Sequence, residues 1–163
     1  MIEVANKTNV KLICVGNFTD ELNKKEITNF LEENPSKNVV FAGYLSHSKV
    51  MEYINMSRLG LSLLQPTPRY EKAVPIKLFE YMACGLPVVA SNFPEIRKVV
   101  KEADCGILVD PTSVDEIADA ILYLLEHPEE AERMGDSGRR AVEEKYNWEK
   151  MEEKLLKLYR RLK

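Results

Sequence analysis

The most constraining feature of this sequence is an alternation of short apolar runs with segments patterned for helices. Residues 10–16 and 38–43 are apolar runs closed by glycine, and 59–64, 86–90 and 106–109 read as further strands. Between them, the spacing over 20–31 predicts a helix with Leu22, Ile27, Phe30 and Leu31 on one face. Ser46 is placed to cap a helix carrying Val50, Met51 and Ile54. Residues 75–84 read as a helix closed by Gly85, with Pro75 first, where its missing N–H costs nothing. After the fifth run the chain is helical. Ser113-Val114-Asp115-Glu116 is a capping box, opening a helix with Ile117, Ala118, Ile121, Leu124 and Leu125 inward. Pro128 opens a short helix that Gly135 ends, and Trp148 precedes a last helix with Met151, Leu155, Leu158 and Leu162 on one stripe.

Strands alternating with helices pair in parallel, and runs without polar alternation are covered on both faces. The expectation is a doubly wound α/β domain of the Rossmann or flavodoxin-like kind, with five strands in a three-layer αβα arrangement. Were the strands at 10–16 and 60–64 to pair directly, the strand order would be 2-1-3-4-5. Ligands in such sheets sit beyond the C-terminal strand ends. The loops there are 16–20, 43–46, 65–74, 91–94 and 110–113.

Composition removes several classes of function. A chain of 163 residues suits one domain with a real core. Lys and Arg number 23 against 26 Asp and Glu, so the basic excess of a nucleic-acid binder is absent. The longest apolar run is 120–125, far short of the ~20 residues of a membrane span. Residues 1–7 lack the apolar stretch of a secretory signal. Cys14, Cys84 and Cys105 are widely spaced and odd in number, which reads as reduced thiols in a cytoplasmic protein. His47 and His127 are too far apart in sequence to suggest a histidine-rich metal site.

The segment with chemical potential is the loop 65–74 and the helix it enters. A helix start offers free N–H groups and a positive dipole end, suited to phosphate. Lys77 and Glu80 share a face with Cys84 beyond them, while Ile76, Phe79 and Ala83 are assigned to a core-facing side. The lysine could meet a phosphate and the carboxylate two ribose hydroxyls. The plainer reading is a weak surface ion pair, and spacing alone favours it.

The stretch Val74-Pro75-Ile76-Lys77-Leu78-Phe79-Glu80-Tyr81-Met82-Ala83-Cys84-Gly85-Leu86-Pro87-Val88-Val89-Ala90-Ser91 resembles the donor-site signature of retaining GT-B glycosyltransferases of group 1, GT4-like. Gly106-Ile107-Leu108-Val109-Asp110-Pro111, Val39-Val40-Phe41-Ala42-Gly43-Tyr44 and Tyr146-Asn147-Trp148-Glu149 extend the resemblance over nearly the whole chain. It implies a nucleotide-sugar donor (UDP-, GDP- or ADP-linked), no cofactor and no metal. It also implies that Glu80 holds the ribose hydroxyls and that Val74, Pro75, Ile76 and Lys77 hold the diphosphate, Lys77 being the candidate catalytic cation. Gly43 and Tyr44 would lie against the base, and Gly16 would give close backbone approach. The plainer readings are strand-to-loop turns for the two glycines and a half-buried packing ring for Tyr44.

Two departures from the family pattern matter. Where the family often has a second glutamate, eight positions before Glu80, this sequence has Lys72, with Glu71 one place out of register. The family's donor domain also begins with a strand and a basic loop that would precede Met1, as would its acceptor domain. Residues 1–7 then match the end of the helix that follows that strand. The expectation is a donor half that is nearly inactive alone. Its last helix would dock on its own sheet or form a homodimer, and Trp148 would be a half-buried hinge. The rival readings are a flavodoxin-like or receiver-like binding module, and a truncated or engineered scaffold without catalysis.

Overall fold

The computed structural model describes residues 1–17 and 21–161. Its elements run α1 (Ile2–Thr8), β1 (Leu12–Val15), α2 (Glu21–Glu33), β2 (Val39–Gly43), α3 (His47–Asn55), β3 (Gly60–Ser62), a 3-10 turn (Tyr70–Lys72), α4 (Ile76–Ala83), β4 (Val88–Ser91), α5 (Pro94–Ala103), β5 (Gly106–Val109), α6 (Val114–Glu126), α7 (Pro128–Glu144) and α8 (Trp148–Arg161). The expected positions of Phe18, Asp20, Leu22 and Leu162 lie outside what is described. The α/β class with parallel pairing is as expected, and the strands divide into two sets. β1 pairs with β2, and β3, β4 and β5 form a separate ladder in that order. The direct pairing of strands one and three does not form, so the single order 2-1-3-4-5 is replaced by two sheets.

The larger sheet shows why its runs lack polar alternation. All four residues of β4 are buried. Val88 and Ala90 enter one cluster with Leu78 and Met82 of α4 and Ile96, Val99 and Val100 of α5. Val89 points the other way, into a cluster with Val4 of α1, Val109, and Ile117, Ile121 and Leu124 of α6. Helices therefore cover both faces, with β4 sandwiched between them. α5 was not anticipated, although Ile96, Val99, Val100 and Ala103 form its buried stripe behind an N-terminal proline.

Two glycines overturn the expected break in α7. The helix continues through Gly135 and Gly138, both buried. A Cβ on Gly135 would stand 2.0 Å from the Gly85 carbonyl oxygen, and one on Gly138 would stand 3.0 Å from Cys105 Cβ. These glycines admit a close crossing of α7 over the end of α4; they do not stop a helix. Arg139 of α7 adds a bond from Nε to the Ala83 carbonyl, 3.2 Å. The capping box of α6 forms in half: Ser113 Oγ accepts from Glu116 N–H (3.2 Å), while the Glu116 carboxylate accepts from Asp110 N–H (2.8 Å).

α8 does not dock on its own sheet. Every described residue of it is exposed, and Trp148 is 73% exposed where a half-buried hinge was expected. The anchoring ring is Tyr146, which packs on Phe79 with centroids 5.2 Å apart and donates its hydroxyl to Glu102 (3.1 Å). Trp148 is the first residue of α8 and leaves with the helix. Asn147 caps that helix by accepting from Lys150 N–H at 2.9 Å.

Candidate functional site

The candidate site is built where the loop after β3 turns into α4. Ser91 Oγ accepts from Leu64 N–H at 2.7 Å and donates to the Leu64 carbonyl at 3.0 Å. One hydroxyl thus extends the β3–β4 ladder beyond the last backbone pair and sets the exit direction of the loop. Farther on, Tyr70 N–H meets Thr67 Oγ1 (3.2 Å) and Glu71 N–H meets the Thr67 carbonyl (3.0 Å), shaping the 3-10 turn. The chain enters α4 through Pro75, which is the N-cap in extended conformation and not the first helical residue. Leu78 N–H makes the first bond, to the Pro75 carbonyl (3.1 Å). The amides of Ile76 and Lys77 come before it, and no side chain caps the helix. The positive end of the helix dipole is therefore presented at the C-terminal edge of the sheet.

Rotation of α4 is fixed by its buried row. Leu78 and Met82 are 0% exposed. Tyr81 lies so close over Gly60 that a Cβ there would be 2.3 Å from its ring. The core-facing assignment of Ile76 and Ala83 is thereby corrected, Ile76 being 76% exposed and Ala83 exposed, while half-buried Phe79 packs against the core as expected. Lys77 and Glu80 are both half-buried, and no ion pair joins them among the described residues. The surface-pair reading favoured by spacing alone does not describe them. Burial depresses the pKa of the Lys77 ammonium, an effect that the charge of Cys14 on β1, in its thiolate form, partly offsets. An ammonium held partly away from water without a carboxylate partner favours an arriving anion.

On the other side, β1 and β2 bring the two site glycines together. Gly16 N–H donates to the Gly43 carbonyl at 2.9 Å. Their φ angles are +135° and +68°, and a Cβ on either would meet nothing within 4 Å. Glycine is required there by backbone conformation and not by crowding. Tyr44 follows with 78% of its surface exposed, so the half-buried packing ring is not what the structure holds. Val74 packs on the core while Pro75 is half-buried. Lys77 acts on Cys14, two residues before Gly16, which sets the α4 start beside the β1 end. Sequence reasoning missed Cys14, Ser91 and the Tyr81–Gly60 contact. A polar residue closing the apolar strand Val88–Ser91 was the one available signal.

Asp110, the acid a receiver-like module would use, is committed locally. Its Oδ1 accepts from the amide and hydroxyl of Thr112 at 2.8 and 2.7 Å, which lowers its pKa. Among the described residues no cluster of His, Cys, Asp and Glu could hold a metal ion, and no helix is long and apolar enough to cross a membrane.

Comparison with known proteins gives the family and the fold. The family model for glycosyl transferases group 1 matches residues 1–141. An MMP alpha-(1->4)-mannosyltransferase of Mycolicibacterium hassiacum is 33% identical over 93 residues, covering 56% of this chain and 23% of its own. Sucrose-phosphate synthase of Thermosynechococcus elongatus superposes with a TM-score of 0.81 at 28% identity, over 99% of this chain and 42% of that one. HepE of Anabaena, in complex with UDP, superposes with a TM-score of 0.83 at 17% identity, over 97% and 44%, a likeness of fold. The chain thus spans less than half the length of these relatives. It belongs to the glycosyl transferases group 1 family, with the GT-B fold of its structural neighbours.

Proposed function

We propose that this chain is the donor-binding part of a retaining, metal-independent, GT4-like glycosyltransferase. In the whole enzyme, a sugar passes from a nucleoside diphosphate to an acceptor hydroxyl. The observation that carries the reading is the uncapped start of α4, with Lys77 and Glu80 on one half-buried face and the Gly16–Gly43 strand ends beside it. The amides of Ile76 and Lys77 and the Lys77 ammonium receive the diphosphate, the group on which charge builds as the glycosidic bond breaks. Glu80, one turn deeper, accepts from the two ribose hydroxyls. Tyr44, exposed beside Gly43, offers a face for the base. UDP in the HepE structure supports a donor of this class.

The remaining parts come from the rest of a longer polypeptide. They are a first strand with its basic loop, and an acceptor domain against which the apolar stripe of α8 packs. The chain alone, placed in the cytoplasm, binds donor and transfers little or nothing. Melting in the presence of UDP, GDP and ADP tests the reading. At least one nucleotide raises the melting temperature in a saturable way, and no response to any of the three overturns it.

A further inference from the structure

At the C-terminal edge of the larger sheet, Arg69 and Lys72 of the 3-10 turn and Arg97 of α5 have no carboxylate partner among the described residues. The turn is held from within. Tyr70 and Glu71 donate their amides to Thr67, and Ala73 N–H bonds the Tyr70 carbonyl at 3.1 Å. It packs on α5. The loop bearing the turn follows β3, and α5 follows β4, which runs parallel to β3. Both therefore leave the sheet at the same edge, and the turn meets the first turns of α5, where Arg97 stands.

Arg97 is held in place by neutral groups. Its Nε donates to Asn92 Oδ1 at 2.7 Å and its Nη2 to the Asn92 carbonyl at 3.0 Å. Those bonds orient the guanidinium without cancelling its charge, and Nη1 makes no bond among the described residues. Glu95, on the same helix, is already engaged by Lys98 at 2.6 Å. Glu71 is then the remaining carboxylate of the turn and the helix start, set against three cations.

The direction of the ligand gives this cluster a use. Glu80, which takes the ribose, lies one turn deeper in α4 than the amides that take the diphosphate. The group on the other side of the diphosphate therefore leaves past the helix start, toward the loop that enters it. A neutral sugar presents hydroxyls, which donate as well as accept, and cations answer only the accepting half. A carboxylate accepts only, carries the opposite charge and fits the fork of a guanidinium. We propose that the donor sugar is an acid sugar, a uronic acid, whose carboxylate is received by Arg97 with Arg69 and Lys72 beside it. The inference rests on the donor reading of the α4 start and narrows it to a class of sugar.

The test compares α-D-glucuronic acid 1-phosphate with α-D-glucose 1-phosphate, followed by NMR on the whole chain. Neither probe carries a base, so the comparison is independent of which nucleotide is preferred. Both shift the amides of Ile76 and Lys77. The uronic acid binds about tenfold tighter, shifts Arg97 Nε–H as well, and loses its advantage as salt is raised. Arg97→Gln removes most of that advantage and Lys72→Gln reduces it about twofold, whereas Lys157→Gln on α8 leaves it in place. Equal affinity of the two probes overturns the proposal. So does an advantage retained in both Arg97→Gln and Lys72→Gln, or one lost equally in Lys157→Gln, which would reflect overall charge. A failure of the donor reading looks different: neither probe shifts Ile76 or Lys77, and the acid-sugar inference falls with it.

Discussion

The two-stranded and three-stranded parts of this molecule are built from similar sequence and end up differently buried. The runs of β1 and β2 are as apolar as those of β3–β5, yet none of their residues is fully buried, whereas all four of β4 are. Among the described residues, Val4, Ala5 and Ile54 are the buried apolar side chains that precede Leu78; the rest lie between Leu78 and Met134, in α4 to α7, the strands between them and their connections. Hydrophobicity of a strand is therefore a poor measure of its burial. Position decides, because β4 has a strand on each side and helices on both faces, while β1, among the described residues, has β2 as its one strand neighbour.

The largest expected effect tests the tight part of that contrast against the loose part. Gly135→Ala drives a Cβ into the Gly85 carbonyl and should cost about 3 kcal/mol, read as a large drop in melting temperature. Gly16→Ala meets open space and pays for backbone conformation alone, about 1 kcal/mol. Equal losses would mean that α7 does not press on α4 as described. Next in size, Met82→Ala should cost about 3 kcal/mol through the cavity it leaves, and Ile13→Ala, half-buried on β1, roughly half as much. Denaturant midpoints would show the order, and an Ile13 loss matching that of Met82 would erase the distinction between the two parts.

A smaller effect depends on pH. The Lys145 ammonium, then the Tyr146 hydroxyl, hold the pKa of Glu102 below its ordinary value. A depressed carboxylate stabilises the fold above its unfolded pKa, and that contribution disappears as pH falls through the folded pKa. Glu102→Gln should therefore reduce stability slightly at neutral pH and flatten the acid limb of the stability curve below about pH 4. Parallel curves for the two proteins would show that this pair does not hold the Tyr146 turn. The smallest effect belongs to α8. Ending the chain after Asn147 removes side chains that are all exposed as far as Arg161, so the melting temperature should barely move. A drop of several degrees would mean that α8 covers the body of the molecule in solution.

What the sequence revealed follows the same physical divide. Features governed by local chemistry were legible: the glycines that end β1 and β2 with positive φ, the Ser113 cap, and β5 at its observed bounds. Features governed by distant contacts were not. Gly135 resembles a helix stop until Gly85 is seen beneath it. Ile76 looks like a core residue until the Leu78–Met82 row is found to fix the rotation of α4. Direct pairing of β1 with β3 was expected from the resemblance, by closure over the place of the family's further strand, and nothing local to either run fixes which strand lies beside it. In the candidate site, the motif singled out Lys77, Glu80, Gly16 and Gly43; the structure puts Gly16 against Gly43 and leaves Lys77 and Glu80 half-buried on α4. The Cys14–Lys77 proximity depends on how two sheets sit around α4, which no spacing in one segment encodes.

The most direct measurement is a calorimetric titration of UDP, GDP and ADP into the parent chain and into Glu80→Ala. The carboxylate is half-buried and has no ion-pair partner among the described residues, so its loss should leave the melting temperature nearly unchanged. Losing charge-assisted bonds to two ribose hydroxyls should weaken binding of the preferred nucleotide about tenfold or more. Equal affinity in the two proteins would contradict the assignment of Glu80 to the ribose, and no saturable binding of any nucleotide to the parent would contradict the donor site itself.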